Sequence, residues 1–258
     1  MSNPNFTTLL DEAVNKPGSI MKAYTAFHNY SLGNQILAMV QCQMRGIELG
    51  PINTFPKWQD LGRHVTKGAK ALTLCMPVTI KRKETNDNGE QQDCSFTTFV
   101  YKARWFALAQ TEGKELDLPQ IPSWDIATAL SALKVEQITF TATDGNLQGY
   151  ARKRSIAVSP IAQLPHKTRF HELAHVMLGH TSEADFNDAE RTAKNLREVE
   201  AESVALLCCE ALNLEGAEFC RGYVQEWLKR AGNTAIPERS AQKILRAADQ
   251  ILKAGIPA

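Results

Sequence analysis

The chain lacks any C-x-x-C pair. Its six cysteines (Cys42, Cys75, Cys94, Cys208, Cys209 and Cys220) fall in segments that read as core helix or strand, which favours buried, reduced thiols over disulfides or a zinc knuckle. No apolar run approaches membrane-spanning length, and the opening Met1-Ser2-Asn3-Pro4-Asn5 is polar rather than a secretory signal. The expectation is a soluble, cytoplasmic protein with no membrane partner, which argues against a secreted digestive protease. Net charge is only +1, so the chain as a whole is no polycation. Internal repeats and low-complexity segments are missing too, which excludes a solenoid. What remains is 258 residues with 43% hydrophobic content, ample for one large or two medium cores.

Charge is unevenly spread. Lys57 to Phe106 holds nine basic residues against five acidic ones, whereas acids outnumber bases from Glu183 to Glu226. A basic front half and an acidic stretch further on suggest two jobs. The periodicity predicts helices over 7–15 and 20–46, with a fresh start at Ser31, and a short helix from Trp58 to His64. Strands follow over 71–76, 78–83 and 94–109, with a polar hairpin tip or loop over 84–92. Pro119 and Pro122 mark a boundary. Beyond it come a helix over 125–133, strands within 137–143 and 150–159, and helices over 168–179, 189–212, 216–231 and 238–253. Gly179 serves as a helix C-cap.

The most specific signal is His171-Glu172-Leu173-Ala174-His175. On a helix, two histidines four residues apart leave the same face and can grip one metal ion. Glu172 lies beside them, where a carboxylate can take a proton from water at that ion. The bland alternative is a surface helix with two solvated histidines. Zinc suits the ligand types, and manganese or cobalt can occupy the same set.

A third histidine six residues beyond His175 would mark the metzincin pattern, but that position is Thr181, and Leu178 stands where the glycine would be. His180 is one residue early and reads as a helix-end residue supporting the site. The later run Arg197-Glu198-Val199-Glu200-Ala201-Glu202 offers carboxylates. Glu200 shares its helical stripe with Val204, Leu207 and Ala211, so it points inward, and an unpartnered inward carboxylate is costly. Glu200 is therefore the preferred third ligand over Glu202, whose face is more mixed. His171, His175 and Glu200 would leave one coordination position open, with Glu172 as general base.

The front half resembles the ArdC antirestriction family in Asn29-Tyr30-Ser31-Leu32-Gly33-Asn34-Gln35 and in Trp58-Gln59-Asp60-Leu61-Gly62-Arg63-His64-Val65-Thr66-Lys67-Gly68. Met76-Pro77-Val78 and Phe106-Ala107-Leu108-Ala109-Gln110-Thr111 are similar to family segments as well, and the H-E-L-A-H and R-E-x-E-A-E stretches match its C-terminal part. The resemblance implies an α+β protein. A mixed α/β single-stranded-DNA-binding domain over 1–118 would precede a mainly helical, zincin-like metallopeptidase domain with a small β-sheet over 124–258. It also implies a protein of mobile elements that shields incoming DNA from restriction. Single-stranded DNA is then a partner, and a host restriction enzyme or other protein a further candidate. Trp58 and Tyr101, interleaved with Arg63, Lys67, Lys70, Lys102 and Arg104, suit such binding: bases stack on rings while cations follow phosphates. Burial in the core is the competing reading for Trp58, and the favoured one for Phe106. Two alternatives stay open: a DNA-binding protein whose metal is only structural, and a metallopeptidase that binds no DNA.

Overall fold

The computed structural model describes residues 5–85, 91–117, 123–142, 146–181, 194–230 and 235–257. The fold is α+β, in two compact units. One comprises Leu37–Leu118; the other comprises Pro4–Ile36 and Pro119–Ala258. The proline boundary of the sequence lies at this division. The assignment of residues 1–118 to one domain differs from it, because the first two helices fold with the C-terminal unit.

The reason is a set of contacts across nearly the full length of the chain. Helices α1 (Phe6–Asn15) and α2 (Ser19–Phe27) bury Leu9, Leu10, Ala13, Val14, Ile20, Ala23, Tyr24 and Phe27. Charged side chains then satisfy their ends. Glu238 accepts from the backbone N–H groups of Phe6 and Thr7 at 2.9 and 2.8 Å, at the positive end of α1. Glu210 accepts from the N–H of Ile20 at 3.0 Å. Arg221 donates to the carbonyls of Ala13 and Val14 and to Glu210. Asp249 caps the start of α3 (Leu32–Arg45) through the N–H of Leu32 at 2.9 Å. Helix α3 itself crosses the division.

In the unit Leu37–Leu118, β3 (Leu72–Thr85) and β4 (Gln91–Ala107) form a long antiparallel ribbon, and β1 (Ile52–Thr54) adds to the other edge of β4. The register slips between Leu72, opposite Trp105, and Thr73, opposite Ala103, so Arg104 is the extra residue of a bulge. Residues 86–90 of the sequence-based hairpin tip lie outside the described residues. A second, short pair joins β2 (Arg63–Val65) to β5 (Thr111–Gly113). Helix α4 (Phe55–Asp60), with Pro56 in its first turn, buries Trp58 completely, and the indole N–H donates to the carbonyl of Phe106 at 2.9 Å.

In the other unit, α5 (Ile126–Leu133) leads into a three-stranded sheet of order β6-β8-β7: β6 (Glu136–Gln137), β7 (Gly149–Arg152) and β8 (Ser155–Val158). Strand β6 runs parallel to β8, and β7 antiparallel. Of the strand predicted over 137–143, the described residues keep only Gln137 in β6, with one further bond from the N–H of Ile138 to the carbonyl of Ile156; Thr143 lies outside the described residues. Four helices follow: α6 (Pro165–Met177), α7 (Lys194–Ala211), α8 (Ala217–Arg230) and α9 (Glu238–Ala254). Residues 189–193 of the predicted long helix lie outside the described residues. Helix α7 is the axis of this unit. It packs against α2, α6, α8 and α9, and every residue from Val199 to Ala211 is buried. A helix covered on all sides carries no amphipathic stripe that names its functional face. The thiols of Cys42, Cys208, Cys209 and Cys220 are buried, and burial pushes each of them up, so they are packing residues.

Candidate metal centre

Helix α6 sorts its side chains by face. Phe170, Leu173 and Ala174 go into the core, while His171 and His175 turn toward a cavity of about 700 Å³. The two Nε2 atoms converge to 3.1 Å. Glu198 of α7 brings Oε2 to 3.4 Å from His171 Nε2 and 3.7 Å from His175 Nε2. Ligand atoms on a tetrahedral ion with bonds near 2.1 Å are separated by about 3.4 Å. The three contacts bracket that edge length, and neutral imidazole with carboxylate is a donor set for zinc or manganese. Among the described residues, His171, His175 and Glu198 are the cluster whose ligand atoms converge in this way.

Glu200, the residue preferred from the sequence, is not part of it. It is 1% exposed, as its apolar stripe required, and its carboxylate is engaged by other partners. Its Oε2 accepts from His180 Nε2 at 2.9 Å, and Ser240 donates to it as well. Those partners satisfy the buried carboxylate. Glu198 and Glu202 stand one turn apart on the side of α7 that meets α6. Their i, i+4 spacing matches that of the histidines, and this was the signal that could have found Glu198.

Each histidine is held from behind. Glu202 Oε1 stands 3.4 Å from His171 Nδ1 and pairs with Lys167 Nζ at 2.6 Å. His175 Nδ1 lies 3.0 Å from His180 Nδ1. A Schellman turn places His180 there. Gly179 has φ +77°, the N–H of His180 reaches back to the carbonyl of His175 at 2.9 Å, and that of Gly179 to Val176 at 3.2 Å.

The electrostatics follow from this crowding. Burial opposes a charged His171, but Glu198 and Glu202 outweigh it and hold the ring protonated up to about 9. Burial also pushes the Glu202 carboxyl up, yet His171 and Lys167 bring it down to about 2. The His171 imidazole beside it holds the Glu198 carboxyl far below the usual carboxylate range. Glu172 is different: burial raises its carboxyl, and the neighbouring histidines offset this only in part. It lines the cavity beside Gly149, where an added Cβ would meet Thr168 Cγ2 at 2.7 Å and Glu172 Oε1 at 3.0 Å. Glycine at 149 is what lets β7 lie so close to that carboxylate. Phe219, largely exposed, stands at the cavity wall.

The residues expected to meet DNA lie in the unit Leu37–Leu118 and divide in two groups. Trp58 is core, as described, and offers no ring face. Arg63 spends its guanidinium on β5: Nε donates to Thr111 Oγ1 at 2.8 Å, and the other nitrogens bond the carbonyls of Thr111, Gly113 and Lys114. With Gly62 at φ +74° and Gly68 at φ +87°, this makes the W-x-x-L-G-R-x-V-x-K-G stretch a turn-and-latch that builds the fold. Lys67, Lys70 and Arg104 are exposed, and Tyr101 and Lys102 half-buried. Two exposed rings were missed. Phe96, opposite Ile80, lies on the face of the ribbon shared with Lys102; Phe99, opposite Pro77, lies on that of Tyr101. Strand alternation was the signal for both.

Taken together, these features define an α+β protein in whose C-terminal unit two histidines of α6 and a glutamate of α7 converge at a cavity. Residues 11–106 match the family described as the N-terminal domain of anti-restriction factor ArdC. The chain is similar in fold to the crystal structure of the antirestriction ArdC protein from R388 plasmid, in its metal-free and Mn(II)-bound forms. Identities are 21% and 20%, covering 97% and 96% of this chain and 94% and 96% of the other, with a TM-score of 0.54 for both. An uncharacterized Bacillus anthracis protein, pXO2-81, is 22% identical over 77% of this chain, which spans only 41% of that relative. Residues 11–106 thus carry the likeness to the ArdC N-terminal domain, and the fold of the chain as a whole is similar to that of the R388 protein. No helix among the described residues is long and apolar enough to cross a membrane.

Proposed function

We propose that this protein binds single-stranded DNA through its unit Leu37–Leu118 and carries a metal-dependent, peptidase-type hydrolytic site in the other, the two serving protection of incoming DNA. The observation that carries the reading is the convergence of His171, His175 and Glu198 with Glu172 beside them on the wall of one cavity. A divalent ion there supplies Lewis acidity and lowers the pKa of coordinated water. Zinc fits the donor set, and the Mn(II)-bound form of the R388 protein makes manganese a second candidate.

Glu172 then acts as general base, taking a proton from the attacking water and passing it to the leaving amine. Its burial keeps the carboxyl basic enough to accept that proton. Strand β7 is an edge of its sheet beside the cavity, which supports binding of an extended peptide alongside it. For DNA, exposed Lys67, Lys70 and Arg104 are suited to phosphates, and Phe96 and Phe99, on opposite faces of the ribbon, to stacking, with Lys102 on the face of Phe96 and Tyr101 on that of Phe99.

The test is Glu172→Gln, which removes the base and spares the ligands. The full chain, loaded with Zn²⁺ or Mn²⁺, is incubated with an unstructured protein such as casein, with and without a single-stranded oligonucleotide. Cleavage by wild type and its loss in the variant support the proposal. Protection of incoming DNA that survives intact in Glu172→Gln would mean that hydrolysis is not how protection works.

A further inference from the structure

We infer that His180 and Glu200 are positioning residues that fix the ring of His175 through a histidine relay. The inference rests on the metal-centre reading above and adds to it two residues outside the ligand set. The geometry is continuous: His175 Nδ1 to His180 Nδ1 is 3.0 Å, and His180 Nε2 to Glu200 Oε2 is 2.9 Å. Both outer members are buried, Glu200 at 1% exposure, and Ser240 holds the carboxylate from α9.

Proton placement follows from donor and acceptor roles. Glu200 is ionised and can only accept, so His180 presents Nε2–H to it. A neutral His180 then has a bare Nδ1, which must accept. The donor across that 3.0 Å contact is His175 Nδ1–H. His175 is thereby left with a bare Nε2 aimed at the convergence point, the tautomer a metal ligand needs. The commoner support for a ligating imidazole is a carboxylate or carbonyl in direct contact, and His171 has that in Glu202. For His175 the carboxylate acts one ring away. The device depends on the Schellman turn, because Gly179 at φ +77° is what folds His180 back onto the helix end.

The first measurement needs no variant. Long-range ¹H–¹⁵N correlation spectra of the metal-free full chain at pH 7.5 report each imidazole tautomer. The expected result is Nε2–H for His180 and Nδ1–H for His175; the opposite tautomer at either ring overturns the relay. The second is Zn²⁺ and Mn²⁺ affinity by competition with a chromophoric chelator. His180→Leu should weaken binding 10- to 100-fold. His180→Asn, whose Oδ1 can accept from His175 Nδ1, should recover most of it. Wild-type affinity in a folded His180→Leu refutes the relay while leaving the ligand set intact. His171→Ala and Glu198→Ala separate the two readings, since unchanged metal binding in those variants defeats the metal centre itself. If His180→Leu fails to fold, Glu200→Gln and the spectra still decide, because loss of the carboxylate charge should weaken binding without removing the ligands.

Discussion

Glu198 meets His171 Nε2 at 3.4 Å while Glu202, one helical turn on, meets the Nδ1 of the same ring at 3.4 Å. One imidazole is thus bracketed by two carboxylates from a single face of α7. The nearer of these to the convergence point can share a metal, and the other can orient the ring.

That bracket has a pH signature in the metal-free protein. His171 is raised from 6.5 to about 9. A raised histidine contributes stability that is fully present below about 6.5 and fades as pH rises through about 9. Wild type should therefore lose thermal stability relative to His171→Ala between pH 6.5 and 9, by an amount on the order of 2–3 kcal/mol. The same window should see protons released when metal binds, rising toward neutral pH and falling away above 9. Melting curves and calorimetry in buffers of different ionisation enthalpy check both.

The buried pair Glu210–Arg221 should be a structural keystone. It links the end of α1 and the start of α2 to α7 and α8. Removing one partner leaves the other charge buried, so Arg221→Ala or Glu210→Ala should each cost roughly 3–5 kcal/mol in urea unfolding. The double replacement Glu210→Leu with Arg221→Met should cost less than either single change. A single change without effect would show that this pair does not anchor the first two helices.

On the proposed DNA surface, the roles separate by salt dependence. Lys67→Ala and Lys102→Ala should each flatten the slope of log affinity against log salt by about 0.7 for single-stranded DNA. Phe99→Ala should weaken binding by about 1–3 kcal/mol with the slope unchanged. Trp58→Ala should act differently, lowering stability by roughly 3–5 kcal/mol through the cavity it leaves. Fluorescence titration of an oligonucleotide at two salt concentrations distinguishes all three.

How much of this was legible in the sequence depends on where the determining contacts lie. His171 and His175 were readable because their spacing is local and helical. The convergence of Glu198 with them was not legible, because Val199 to Ala211 are all buried and inwardness on such a helix singles out no face. Glu200 was correctly placed inside, but its partners come from the turn after α6 and from α9. Trp58 and Arg63 looked like nucleic-acid residues by type, yet their donors are consumed by carbonyls about fifty positions away. The pairing of α1 and α2 with the C-terminal unit turns on Glu210, Arg221 and Glu238, some 190 residues or more distant, which no local pattern encodes.

The central claim is the ligand set, and metal content under saturating Zn²⁺ tests it most directly. Elemental analysis after gel filtration should find one ion per chain in wild type and in Glu200→Gln, and none retained by His171→Ala, His175→Ala or Glu198→Ala. Full occupancy in Glu198→Ala, or an empty wild type, would contradict the account.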